Sequence, residues 1–115
     1  MSQAHPDLCL GIDVGTSGCR AVAVAADAPG GTGPQPASPA IAERAVAMPA
    51  PAGDGPAARQ DPEIWWQALG EVLAALGREI DLRRIRALAV DATSATLLVT
   101  DPRGVPLAPA RMYND

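Results

Sequence analysis

The sequence predicts an α/β domain, and three observations support that prediction. Two apolar runs rich in β-branched residues, at positions 8–14 and 21–24, flank a short turn that contains glycine, as the strands of a hairpin do. Apolar residues recur at helical spacing over about 62–76, which is typical of a helix with one buried face. Further apolar runs within 87–108 predict more strands. A chain of 115 residues is long enough for one domain with a modest core.

The turn between the first two strands, Gly15-Thr16-Ser17-Gly18, has the groups that a polyphosphate needs. Glycines let the backbone approach closely, successive N–H groups can point into one concavity, and two hydroxyls can donate to phosphate oxygens. Asp13 lies just before the turn, and its carboxylate would repel phosphate unless Mg²⁺ or its water shell lay between them. Arg20 follows the turn. These residues predict a phosphate site; the alternative is a hairpin whose Asp serves only turn chemistry.

The stretch between the second strand and the helix is poor in apolar bulk. The phosphate motif spans residues 8–26, and residues 27–40, dense in Pro, Gly and Ala, predict a loop. Residues 41–48 predict a third strand, and residues 49–59 predict a second loop.

The helix has clear start and stop signals. Asp61 suits the N-cap, Pro62 suits the first helical position, and Gly77 can end the last turn. Trp65 lies on the apolar face and is expected to be a core anchor. Trp66, its neighbour, stays open between a surface residue and a stacking platform for a sugar or base.

A second group of polar residues follows a predicted buried strand at 87–90. Asp91, Thr93 and Ser94 bring a carboxylate and two hydroxyls to the carboxyl end of that strand, where ligands of open α/β sheets bind. Such groups could orient a polyol or ketose. They could equally satisfy local backbone groups, and the spacing alone does not decide between the two.

The last part of the chain predicts two more short strands, at residues 97–100 and 105–107. Asp101-Pro102-Arg103-Gly104 between them fits a type I turn. Together with the strand at 87–90, these elements make up a group of strands over 87–108.

Composition excludes several classes of function. With a net charge of −4, we expect neither a nucleic-acid surface nor attraction to anionic membranes. All 9 basic residues are Arg, which excludes a lysine-dependent phosphate loop within this segment. His5 is the only His, so no Ser-His-Asp triad or His-based zinc site can form from these residues. Cys9 and Cys19 suit a reducing compartment, and no apolar run approaches ~20 residues, so we expect a cytoplasmic location.

Four motifs in order resemble the FGGY carbohydrate kinases, of the superfamily that also contains actin and the heat-shock-chaperone ATPases. They read G-I-D-V-G-T-S-G-C-R-A at 11–21, Q-D-P-E-I-W-W at 60–66, D-A-T-S-A-T-L-L at 91–98 and P-A-R-M-Y-N-D at 109–115. The third motif is similar to the ribulokinase and xylulokinase-like branch. Two features depart from the pattern: Ala92 replaces the usual Gly, and the insertion at 27–40 is not typical.

The resemblance implies an incomplete ribonuclease-H-like domain with a mixed sheet, in which residues 1–115 form the N-terminal part of the kinase. It implies transfer of the γ-phosphoryl group of ATP to a sugar hydroxyl, for example on ribulose or xylulose. In that scheme Asp13 orients Mg²⁺ through water and Arg20 supplies charge. The β- and γ-phosphates are then held by Gly15, Thr16, Ser17 and Gly18. The candidates on the sugar side are Asp91, Thr93, Ser94, Asn114 and Asp115.

The resemblance also places the general base outside these 115 residues, in a C-terminal kinase domain that would be the partner of this one. We therefore expect no catalytic residue and no turnover from this chain alone; a homodimer is compatible with the resemblance. The alternative function is a nucleotide-binding module or regulator of the same superfamily that phosphorylates nothing. A plain α/β domain with two coincidental polar turns is the third alternative.

Overall fold

The structure, a computed structural model, describes residues 7–26, 40–53 and 58–112. It contains one α-helix and six strands within those ranges, and their bounds follow in chain order. They are β1 (Leu8–Val14), β2 (Gly18–Ala25), β3 (Ala42–Ala47), β4 (Arg59–Gln60), α1 (Pro62–Leu76), β5 (Ile85–Ala92) and β6 (Ala110–Arg111). The loop predicted at 27–40 lies almost wholly outside the described residues, as do His5, Asn114 and Asp115.

Four strands form a mixed sheet in the order β3-β2-β1-β5. β1 pairs antiparallel with β2, which pairs antiparallel with β3, whereas β5 runs parallel to β1. The parallel pairing brings the carboxyl ends of β1 and β5 together, with Asp13 opposite Asp91 and Val14 opposite Ala92. The two polar groups of the sequence therefore lie at one edge of the sheet. β4 and β6 form a separate two-stranded sheet.

Helix α1 occupies the span that the apolar spacing predicts. The Asp61 carboxylate accepts a hydrogen bond from the Glu63 N–H at 2.9 Å, and Pro62 stands in the first turn, where its missing N–H costs nothing. The N–H of Gly77 donates to the Leu73 carbonyl at 2.9 Å and closes the last turn.

The core lies between α1 and the sheet. The helix packs on β2 and β3, and its side chains meet alternate residues of the strands, which share one face. The buried members of this core are Leu10, Ile12, Cys19, Ala21, Ala42, Met48, Ala68, Val72 and Leu76. Trp65 packs against them, whereas Trp66 is 71% exposed. No helix in the described part of the chain has the length and apolar character that crossing a bilayer requires.

The prediction that residues 87–90 form a buried strand is wrong in one respect. The strand forms, and it extends over Ile85–Ala92, but Leu88 is 60% and Val90 59% exposed. The reason is that α1 packs mainly on β2 and β3 and makes few or no contacts with β5. Among the described residues, β5 is also the outer strand of its sheet.

The two strands predicted at 97–100 and 105–107 are reduced to single bridges. Thr100 pairs with Pro106, and Leu97 pairs with Arg111. The turn between them does form, because the N–H of Gly104 donates to the Asp101 carbonyl at 2.9 Å. Gly104 has a φ of 83°, a left-handed conformation that glycine adopts without strain.

Candidate functional site

The phosphate turn joins β1 to β2 and is closed by its own backbone. The Gly15 N–H donates to the Gly18 carbonyl at 2.9 Å, and the Met48 N–H donates to the Ser17 carbonyl at 2.9 Å. A Cβ at Gly18 would lie 3.0 Å from the Val46 carbonyl oxygen of β3, so only glycine lets the two strands approach this closely. Ser17 is exposed, so none of the described residues covers the turn at Ser17 and a ligand can reach it from solvent.

The two polar groups predicted from the sequence are in direct contact. The Thr16 and Thr93 hydroxyl oxygens lie 3.1 Å apart and share a hydrogen bond, although the residues are 77 positions apart in the chain. The Thr93 N–H also donates to the Val14 carbonyl at 3.2 Å. These bonds hold the carboxyl end of β5 beside the carboxyl end of β1, where the phosphate turn begins.

Two carboxyl groups form a pair at the same edge. Asp13 and Asp91 are opposite each other in the parallel register. A hydrogen bond between two carboxyl groups needs a proton on one of them. The hydrogen bond to Asp13 raises the pKa of Asp91, and partial desolvation and the charge of Asp13 act in the same direction. The sequence indicated this pair, because each predicted strand has an Asp beside its last residue. The register that places the two Asp residues opposite each other could not be read from the sequence.

Arg20 is opposite Asp13 on β2, but its guanidinium pairs with Glu43 of β3, with 3.4 Å between Nε and Oε1. Both side chains of this pair are largely exposed, so the ion pair is weak and can be exchanged for another anion. Burial and, second, the charge of Asp13 raise the pKa of the neighbouring Cys19 thiol. Cys19 is therefore a protonated core residue.

Two cavities adjoin the turn. One, of about 230 Å³, contains most of the predicted phosphate residues; it is lined by Asp13, Gly15, Ser17, Gly18, Cys19, Arg20 and Ala45. The other, of about 180 Å³, lies between the start of α1 and the end of β5; it is lined by Val14, Gly15, Gln60, Trp65, Ala92, Thr93, Thr96, Leu98 and Met112. The Thr96 hydroxyl in this second cavity is buried and has no hydrogen-bond partner among the described residues. Ser94 is exposed and does not line the second cavity.

Sequence reasoning missed Gln60, which is only 3% exposed. Its side-chain amide donates to the carbonyls of Thr16 and Pro49, at 3.3 and 3.2 Å, and accepts a hydrogen bond from the Trp65 indole at 2.8 Å. The sequence indicated Gln60 only as part of the helix start. Its partners lie in separate segments of the chain, so no local sequence pattern predicts these hydrogen bonds.

The arrangement defines a class of protein. A mixed sheet with a polar turn at the carboxyl end of its central strand β1 is the ribonuclease-H-like form of the actin-like ATPase fold. The structure of a xylulose kinase from Rhodospirillum rubrum matches it with a TM-score of 0.72 and 23% identity, over 94% of this chain and 20% of that one. A gluconate kinase from Lactobacillus acidophilus matches with a TM-score of 0.71 and 20% identity, over 90% and 19%. These likenesses confirm the predicted fold class.

The chain belongs to the FGGY family of carbohydrate kinases, because the sequence model of that family's N-terminal domain matches residues 8–115. A xylulose kinase from Streptomyces coelicolor is 33% identical over 118 residues, which cover 100% of this chain and 21% of that relative. The resemblance found in the sequence motifs is thereby confirmed. This chain spans about a fifth of the length of the relatives it matches.

Proposed function

We propose that this chain is the phosphate-binding part of an ATP-dependent carbohydrate kinase, whose substrate is a ketopentose such as xylulose or ribulose. The observation that carries the proposal is the 3.1 Å contact between the Thr16 and Thr93 hydroxyls. It joins the predicted phosphate turn to the predicted sugar-side residues. A kinase needs its two substrates adjacent at one place, because phosphoryl transfer depends mainly on positioning and charge neutralisation.

The phosphate turn would bind the β- and γ-phosphates of ATP. The backbone N–H groups and the hydroxyls of Thr16 and Ser17 are the donors for the phosphate oxygens. Gly15 and Gly18, predicted to donate as well, would shape the turn instead, because the Gly15 N–H is already bonded to the Gly18 carbonyl. Arg20 can add positive charge if its exposed guanidinium leaves Glu43 for the ligand. The 230 Å³ cavity beside the turn supports this assignment.

The carboxyl pair fits Mg²⁺. This cation prefers oxygen ligands, keeps several waters and often uses only one or two protein carboxylates. Asp13 would hold it through water, with Asp91 beside it in the parallel register. A nearby cation favours the charged form of a carboxyl and would oppose the effect of Asp13, which raises the pKa of Asp91. Bound there, Mg²⁺ would neutralise negative charge on the phosphates.

Thr93, which lines the second cavity, would contact the sugar. Asp91 and the exposed Ser94 are further candidates, as are Asn114 and Asp115, which lie outside the described residues. The kinases matched by this chain are named for xylulose and, in one structure, for gluconate, which supports an acyclic or ketose sugar. The general base would come from a C-terminal domain, so we expect the 115-residue chain alone to be inactive.

The test uses a full-length protein that carries this chain. ATP consumption is measured with xylulose, ribulose, gluconate, xylitol and glycerol, and product formation is checked by mass spectrometry. We expect one ketopentose to be preferred, and Asp13→Ala to abolish turnover while its unfolding temperature stays close to that of the wild type. ATP binding without a phosphorylated product from any sugar would contradict the proposal and favour a nucleotide-binding regulator.

A further inference from the structure

Gln60 stands at a junction of three segments. It ends β4 and directly precedes Asp61, the N-cap of α1. Its amide nitrogen donates to the Thr16 carbonyl in the phosphate turn, 44 positions away, and to the Pro49 carbonyl after β3, 11 positions away. Its amide oxygen accepts from the Trp65 indole N–H in the first turns of α1. With 3% of its surface exposed, Gln60 exchanges none of these bonds readily with water.

Only a carboxamide satisfies all three partners. Two of them are carbonyl oxygens, which need donors, and the third is an indole N–H, which needs an acceptor. A glutamate has nearly the same shape but presents only acceptors, so it would face two carbonyl oxygens without a proton to share. Trp65 fixes which end of the amide faces the turn, because its N–H can bond only to the oxygen.

The bond to the Thr16 carbonyl has a consequence on the other side of the same peptide group. In a trans peptide, the C=O of one residue and the N–H of the next point in opposite directions, and none of the described peptides is cis. When Gln60 holds the Thr16 carbonyl inward, the Ser17 N–H is directed away from Gln60. The Thr16 side chain, which belongs to the residue being held, is kept against Thr93.

We propose that Gln60, oriented by Trp65, is a positioning residue that presents the Ser17 N–H and the Thr16 hydroxyl to the phosphates of the nucleotide. The inference rests on the proposed function in that it takes the ligand of the turn to be a nucleoside di- or triphosphate. It adds a role that touches no ligand: Gln60 acts through the peptide group between Thr16 and Ser17.

The test compares Gln60→Glu and Trp65→Phe with two matched controls in the full-length protein. Gln67→Glu makes the same change of charge on an exposed residue of α1, and Trp66→Phe removes an indole N–H from the exposed neighbour of Trp65. Misplacement of a binding group costs up to about 100-fold. We therefore expect Gln60→Glu to lower kcat/KM for ATP by about 10- to 100-fold and to change the KM for the sugar by less than about twofold.

Trp65→Phe should lower kcat/KM for ATP by about fivefold, the effect of one net hydrogen bond. Combining it with Gln60→Glu should add little, because both changes act on the same connection. Both controls should match the wild type. Two results would show a merely structural role and overturn the inference. One is an equal loss of kcat/KM for ATP and for the sugar. The other is a lower unfolding temperature with kinetic constants that are unchanged at temperatures where the variant is folded.

The same variants separate this inference from the proposed function. If the wild-type protein phosphorylates no sugar, the kinase proposal fails, and calorimetric titration with ADP then decides the inference. Weaker ADP binding by Gln60→Glu than by Gln67→Glu would support it, and equal affinities would overturn it. A wild-type protein that binds no ADP would overturn both. If Gln60→Glu does not fold, Trp65→Phe against Trp66→Phe decides by the same readouts.

Discussion

Two Gly→Ala substitutions should have opposite effects, although they make the same chemical change. At Gly18 the new Cβ would lie 3.0 Å from the Val46 carbonyl oxygen, whereas at Gly70 of α1 nothing lies within 4 Å. Neither residue has a positive φ, so backbone conformation does not distort the comparison. Gly18→Ala therefore measures how tightly the phosphate turn is held against β3, and Gly70→Ala is its control.

The expected magnitudes follow from these contacts. Overpacking against a backbone atom costs about 1–3 kcal/mol, and the smaller entropy of the unfolded chain returns about 0.4–1 kcal/mol. Gly18→Ala should thus be destabilising by about 1–2 kcal/mol. Gly70→Ala should stabilise by up to about 1 kcal/mol, because alanine is the better helix former at an open position.

Hydrogen exchange in the full-length protein is the appropriate assay, because it reports local opening free energies without requiring the whole protein to unfold in one step. Amides of β2 and β3 should exchange faster in Gly18→Ala, and amides of α1 should exchange more slowly in Gly70→Ala. If both variants changed protection in the same direction and by the same amount, the close approach of Gly18 to β3 would be refuted.

Two further predictions concern the site. Because the pKa of Asp91 is raised, the folded protein without Mg²⁺ keeps a proton on Asp91 at pH values where the unfolded chain has lost it. With a chelator present, protection of the β5 amides from exchange should therefore fall as the pH rises from the ordinary carboxyl range through the raised pKa. Asp91→Asn, measured in the same way, should remove that fall. An equal pH dependence in both proteins would contradict the raised pKa of Asp91. Thr93→Val keeps the shape of the side chain and removes the hydroxyl that contacts Thr16, so it should lower kcat/KM for the sugar about fivefold. Thr100→Val, the control at an exposed site, should leave kcat/KM unchanged. Identical kinetics in the two variants would refute a role for Thr93 in the site.

The sequence allowed the helix and the first hairpin to be predicted because their signals are local. Asp61 and Pro62 start α1 through bonds and backbone angles within one turn, and the glycine turn lies directly between β1 and β2. The exposure of Leu88 could not be predicted, because burial depends on which strands α1 covers. In the sequence, the apolar residues of a strand that a helix covers look the same as those of a strand that stays exposed.

The site was predictable only as separate parts. The phosphate turn and the Asp91–Ser94 group each show a recognisable pattern, but the contact between Thr16 and Thr93 needs the parallel register of β1 and β5. Gln60 depends on partners in three segments, so a buried polar residue of this kind is visible only once the chain is folded.

The separation of 77 positions between Thr16 and Thr93 also affects the order in which the protein can be made. During synthesis the phosphate turn leaves the ribosome long before residue 93 does, so the early chain has the turn without the strand that supports it. Contacts between such distant positions form late in folding, since the intervening chain must first be closed into a loop. If the turn binds ATP as proposed, ATP would stabilise chains in which β5 has already joined the sheet.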